Sequence, residues 1–113
     1  MVEIKSYNGG DFKVLCEHGE WKIGFLKYSE RFSRFKVLER HTETDEAFVL
    51  LTGRARLYLC DETDEIHTYK MKKRTVYNVK KSVWHHITVS RGATVLVVEN
   101  RNTCKDNTER EMV

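Results

Sequence analysis

Apolar residues recur at every second position through most of this chain, in short runs bounded by turn formers. The runs are "FKVLC" (12–16), "EWKIGFLKY" (20–28), "RFKVLERH" (34–41), "EAFVLLTG" (46–53), "RARLYL" (54–59), "EIHTYKM" (65–71), "TVYNV" (75–79), "WHHITVS" (84–90) and "TVLVVEN" (94–100). They are rich in Val, Ile, Tyr, Phe and Thr, which suit a pleated, half-buried surface. No stretch before residue 100 holds a 3.6-residue apolar period long enough for a helix. The pattern therefore predicts an all-β chain, an antiparallel sandwich or barrel of nine short strands. With no proline present, the turns fall to Gly, Asn and Asp. One domain is expected over 1–100. The polar segment "RNTCKDNTEREMV" (101–113) is expected as a tail, either frayed or forming a short helix docked on a partner.

Alternation also assigns faces to the titratable residues. In 34–41, Phe35, Val37, Glu39 and His41 share one face, so Glu39 and His41 point inward with apolar neighbours. In 84–90, His85 shares its face with Ile87 and Val89, which places His85 inward and His86 outward at the surface. Glu46 lies with Phe48 and Leu50, but the opposite face (Ala47, Val49, Leu51) is equally apolar, so its direction stays open. Charged groups are rarely buried without a partner. Glu39, His41, Glu46 and His85 are all metal-ligand types. Hydrogen-bonded core histidines and a metal site both account for them.

The segment "HTETDEAFVLLTG" (41–53) has a His, four residues, a Glu, six residues and a Gly, and it resembles the first motif of the cupin superfamily. The segment "VKKSVWHHITV" (79–89) fits the frame of the second cupin motif, a Pro-x-Gly-x-x-His turn, with His85 as its closing histidine. The resemblance covers roughly residues 34–99 and implies a double-stranded β-helix, the cupin jelly-roll barrel. It also implies a metal held by His41, Glu46 and His85, with Glu39 standing where the family places a further histidine. Lys80 and Ser82 replace the Pro and Gly of the turn, and Val89 the Asn that follows. Two histidines with one or two carboxylates suit Fe(II), Mn(II), Ni(II) or Zn(II). With both glutamates bound, a divalent ion has a formally neutral shell. That favours chelation of an oxygenated substrate, with dioxygenase-type or isomerase/epimerase chemistry, over hydrolysis. The expected function is that of a metal-dependent enzyme acting on a small sugar- or organic-acid-like molecule. The alternative is a barrel that binds or senses a small molecule without catalysis, with or without metal.

Composition narrows this picture little. The 113 residues carry a formal net charge of +3, with one basic cluster, "KMKKR" (70–74), followed by Lys80 and Lys81. A solvated face is the expected reading, and no nucleic-acid-binding motif accompanies it. No signal peptide or membrane span is evident, so a cytoplasmic location is expected. Cys16, Cys60 and Cys104 form no CxxC pair and read as free thiols, Cys60 as a buried, inert one. Trp21, Tyr58, Tyr69, Tyr77 and Trp84 read first as core and second as a cavity wall. Open sheet edges and the resemblance together imply a two-fold homodimer, paired through the N-terminal strands.

Overall fold

The computed structural model describes residues 1–104 and 107–112. It contains ten strands: β1 (Phe12–His18), β2 (Trp21–Lys27), β3 (Val37–His41), β4 (Glu46–Thr52), β5 (Ala55–Cys60), β6 (Ile66–Lys70), β7 (Val76–Val79), β8 (Trp84–Val89), β9 (Thr94–Asn100) and β10 (Thr108–Met112). A single 3-10 turn, Glu30–Phe32, interrupts them, and no α-helix occurs among the described residues. Among the described residues no helix is long and apolar enough to cross a membrane. Two five-stranded antiparallel sheets face each other, in the orders β1-β2-β9-β4-β7 and β10-β3-β8-β5-β6.

The inward side chains change character along the strands. At one end, β4 pairs Leu50 with Val95 of β9, and β5 pairs Ala55 with Val89 of β8. Two residues along come Phe48 with Val97, and Leu57 with Ile87. All eight are buried and belong to one apolar cluster. Burying each large aliphatic or aromatic side chain contributes roughly 1.5–3 kcal/mol. Two residues further, the same strands place Glu46 opposite Glu99, and His85 opposite Leu59. The period-2 geometry that builds the core thus delivers titratable groups to its far end. It also settles β4, whose Glu46, Phe48 and Leu50 point inward while Ala47 and Val49 are half-buried on the other face. Gly24 of β2 is required by close packing. A Cβ there would lie 2.6 Å from the Phe12 ring and 2.7 Å from the Lys13 carbonyl oxygen. Its absence lets the Phe12 ring lie across β2 and reach the interior cavity.

The C-terminal segment corrects the expectation of a frayed end or helix. Residues 108–112 form β10, paired with β3 from Thr108 opposite His41 to Met112 opposite Val37. Backbone pairing and polar side-chain contacts hold this edge strand, so no apolar stripe announces it.

Candidate metal centre

Three segments meet at the polar end of the barrel: the end of β3, the start of β4, and the turn leading into β8. Residues 80–83 close that turn through a hydrogen bond from the Val83 N–H to the Lys80 carbonyl. The Ser82 N–H donates to the His41 carbonyl at 2.7 Å, tying the turn to β3. The Lys81 N–H donates to Asp45 Oδ1 at 2.8 Å, and Asn78 Nδ2 donates to Asp45 Oδ2 at 3.1 Å. Chiefly through the Lys81 hydrogen bond, Asp45 is held below the usual carboxylate range. Asp45 is half-buried, and it fixes the residue next to Glu46 against the turn that carries His85.

The result is a tight group. His41 Nε2 lies 2.8 Å from Glu46 Oε1, and His85 Nε2 lies 3.1 Å from the same oxygen. All three residues are buried. Burial alone would raise the Glu46 carboxyl, but the two imidazoles hold it well below the ordinary range. For His85, burial works against the charged ring, yet the hydrogen bond to the Glu46 carboxylate wins and its pKa rises. The other ring nitrogens are also engaged: His85 Nδ1 is 3.0 Å from the Val83 carbonyl oxygen, and His41 Nδ1 is 2.9 Å from Thr108 Oγ1. A carbonyl only accepts, so His85 Nδ1 carries a proton. A neutral His85 would then turn the Nε2 lone pair against a carboxylate oxygen. Only positive charge resolves that opposition, either a second proton on the ring or a cation between the donors.

The donor set fits a divalent ion. Ligands about 2.1 Å from a metal on adjacent octahedral corners stand about 3 Å apart, close to the two observed spacings. Second-shell hydrogen bonds from the remaining imidazole nitrogen to a carbonyl or hydroxyl are the usual support of a metal-bound His. His41, Glu46 and His85 are therefore brought together as a group that could hold a metal. Glu39 is placed differently. It pairs with His85 across β3 and β8 and lines the same cavity, but its Oε1 accepts from Arg110 Nε at 2.9 Å, and it stands outside the group of three.

Sequence reasoning missed Glu99, although it continues the inward series Val95, Val97, Glu99 as Glu39 and His41 continue theirs. Burial and then the neighbouring Glu46 charge push its carboxyl up to about 8, against a weaker pull from Lys22 at 3.6 Å. A cavity of about 410 Å³ opens beside these groups, with Phe12, Leu26, Phe48 and Val97 on its apolar wall. Because β3 and β8 share a single residue pair, the cavity also reaches Phe32 and His86. His86 is on the face opposite His85, as expected, but it is not at the surface. It is 7% exposed, covered by Phe32 and Phe35, and its Nε2 has no partner among the described residues. Burial lowers its pKa.

None of the five aromatics considered as a cavity wall lines the cavity. Tyr58 stacks on Phe35 outside the sheet, Trp84 lies beneath Arg40, and Trp21 and Tyr69 are exposed. Cys60 is half-buried rather than enclosed, and Cys104 is an exposed residue that borders the cavity. A second cluster, Asp61, Glu65 and His67, is wholly exposed. It is explained as a turn: Asp61 Oδ1 accepts from the Thr63 and Glu65 N–H groups, and Oδ2 contacts His67 Nε2 at 2.7 Å.

No protein-family model and no curated protein matches the chain. Solved structures do. A cupin-2 domain-containing protein from Shewanella frigidimarina superposes with a TM-score of 0.67 at 19% identity, over 84% of this chain and 85% of that one. The fold is that of a cupin. A variant of Streptomyces Pac13 with uridine gives a TM-score of 0.70 at 8% identity, over 99% of this chain and 93% of that one. Oxalate decarboxylase from Bacillus subtilis gives 0.62 at 16% identity, with 80% of this chain covering 23% of that longer one. At these identities the fold is what is shared. Within it, this chain carries the His41–Glu46–His85 group, and β10 supplies Thr108 to His41.

Proposed function

We propose that this cupin holds one divalent metal on His41, Glu46 and His85, and acts as a metal-dependent enzyme on a small polar molecule admitted to the adjoining cavity. The observation that carries this reading is the convergence of two buried Nε2 atoms on one Glu46 oxygen while both Nδ1 atoms are tied behind them. When bound, the metal would supply Lewis-acid polarisation of a substrate oxygen. The chain's own groups set the surroundings. Val83 and Thr108 orient the two rings, and Glu99 stands opposite Glu46 on β9, its carboxyl pushed up in the metal-free protein by burial and by the Glu46 charge. Glu39 lies outside this set, its Oε1 accepting from Arg110. Among solved cupins of like fold are enzymes with small substrates, and the cavity here is of suitable size for a small ligand. A two-fold homodimer paired through the N-terminal strands, with β1 at a sheet edge, completes the reading.

The second reading is a metal-free barrel in which a protonated His85 answers Glu46, with the apolar wall serving ligand binding. Elemental analysis after incubation with Mn(II), Fe(II), Ni(II) and Zn(II) decides between them. One equivalent of metal is expected in the wild type, and none in His41→Ala or His85→Ala. His86→Ala should keep its metal. Thr108→Val should weaken binding by about 10–100-fold, and Thr108→Ser should restore it. Imidazoles must be neutral to coordinate, so affinity should fall as pH drops, beginning above the ordinary histidine value because His85 is raised. Wild-type protein that stays metal-free with every ion refutes the first reading.

A further inference from the structure

Two arginines at the cavity border take no part in the metal reading. Arg31 sits on the 3-10 turn and Arg110 on β10, and both line the cavity while remaining about half exposed. Each is held through Nε alone. Arg31 Nε donates to Asp11 Oδ1 at 2.8 Å, with its guanidinium 4.4 Å above the Phe32 ring, and Ser29 Oγ fixes the same Asp11 oxygen at 2.9 Å. Arg110 Nε donates to Glu39 Oε1 at 2.9 Å. Among the described residues neither guanidinium makes another hydrogen bond, so both keep their Nη donors. A guanidinium positioned in this way offers a planar fork matched to a carboxylate.

Register places this fork close to the metal group. On β10, Arg110 is opposite Glu39 and Thr108 is opposite His41. Two residues along a strand span about 7 Å. A molecule of a few atoms can therefore touch Arg110 at one end and the His41–Glu46–His85 group at the other. We propose that this cavity binds a small organic carboxylate, held by the Nη donors of Arg110 and Arg31, with a second oxygen directed at that group. The direction of the second oxygen rests on the proposed metal reading; the carboxylate site does not. Each arginine already has a carboxylate partner, so the mouth is close to charge-neutral and suits one carboxylate, with a single charge on its two oxygens, better than the doubly charged oxygens of phosphate. In malonate the other carboxylate is the group directed inward. A neutral polyol would leave the fork unused.

Calorimetric titration with malonate tests the proposal, on metal-loaded and metal-stripped protein, with inorganic phosphate and xylitol as comparison ligands. Malonate should bind more tightly than either. Arg110→Gln should weaken it by about tenfold or more, as loss of a charged hydrogen-bond donor does. Arg110→Lys should recover part of the loss, and binding should weaken with added salt. Arg31→Gln, on a different element, carries the same test if Arg110→Gln loosens β10. Glu109→Gln, which breaks only the exposed pair with Arg40, should leave binding unchanged. Metal stoichiometry should be unaltered in every variant. Metal-stripped protein that binds malonate with the same Arg110 dependence sustains the carboxylate site even if no metal ever binds. The proposal is overturned if malonate does not bind, if phosphate binds as tightly, or if both arginine variants bind malonate like the wild type.

Discussion

The two ends of the barrel are built by the same four strands, and they differ in what the inward positions carry. At the packed end, Leu50, Ala55, Val89 and Val95 fill the space between the sheets with aliphatic groups. At the open end, Glu46, His85 and Glu99 occupy the equivalent positions four residues along, and a cavity remains. Aliphatic side chains satisfy one another by contact, so that end closes on itself. Titratable side chains need specific partners, which leaves directed lone pairs and unfilled volume. The packed end supplies stability, and the open end places reactive groups on rigid strands at some cost in stability.

The largest expected effect separates these contributions directly. Leu50 is 2% exposed, and Leu50→Ala should cost about 3–4 kcal/mol while leaving one equivalent of metal bound to the folded protein. His41→Ala should do the opposite, abolishing metal binding while costing metal-free protein only about 1–2 kcal/mol. Urea midpoints and elemental analysis on both variants read the contrast. A folded Leu50→Ala protein without metal would show that the two ends are not separable.

A second effect is specific to the open end and changes with pH. Glu99 is raised to about 8 by burial and by Glu46, so the folded metal-stripped protein binds a proton that the unfolded chain releases near the ordinary carboxylate value. Stability contributed by the protonated carboxyl is full below that ordinary value and is lost as pH rises through about 8. The raised His85 adds a loss in the same direction at its own folded value. Glu99→Gln keeps the neutral shape and removes the Glu99 titration. It should be within about 1 kcal/mol of wild type at pH 5 and up to about 4 kcal/mol more stable at pH 9. Parallel stability curves for the two proteins between pH 5 and 9 would contradict this.

Legibility in the sequence follows the same division. Alternation was clearest in β5 and β8, where an apolar face alternates with a largely polar one, and it placed His41 and His85 inward by continuity with Val37 and Ile87. It could not orient β4, where both faces are apolar, and the pairing of Phe48 with Val97 decides that only in three dimensions. Glu99 was legible by the logic applied to Glu39, as an inward charge ending the series Val95, Val97. β10 was not, because "TEREM" joins the sheet through backbone pairing and polar contacts to His41 and Glu39 rather than apolar burial. Burial of His86 was likewise hidden, since its cover comes some fifty residues away from Phe32 on the 3-10 turn and from Phe35, which precedes β3 and stacks on Tyr58 and His86 instead of facing inward with Val37.

The smallest effect lies in how each end turns its chain. After β4, at the packed end, Gly53 adopts φ 76°, and a Cβ there would lie 2.6 Å from the Ala93 Cα, so only glycine fits. Before β8, at the open end, Ser82 adopts φ 66° in the position where the resembling motif carries glycine. An L-residue in this left-handed conformation costs about 1–2 kcal/mol, and glycine returns part of that gain through the greater entropy of its unfolded chain. The Ser82 side chain is exposed, and its backbone N–H, which holds the His41 carbonyl, is retained in glycine. Ser82→Gly should therefore stabilise the protein by about 0.5–1 kcal/mol, read as a higher urea midpoint with an unchanged slope. Metal affinity should stay the same, because the contacts that position His41 and His85 are backbone contacts of the turn. A destabilised Ser82→Gly protein would mean that the serine side chain itself braces the turn, and the open end would then depend on a contact absent from the packed one.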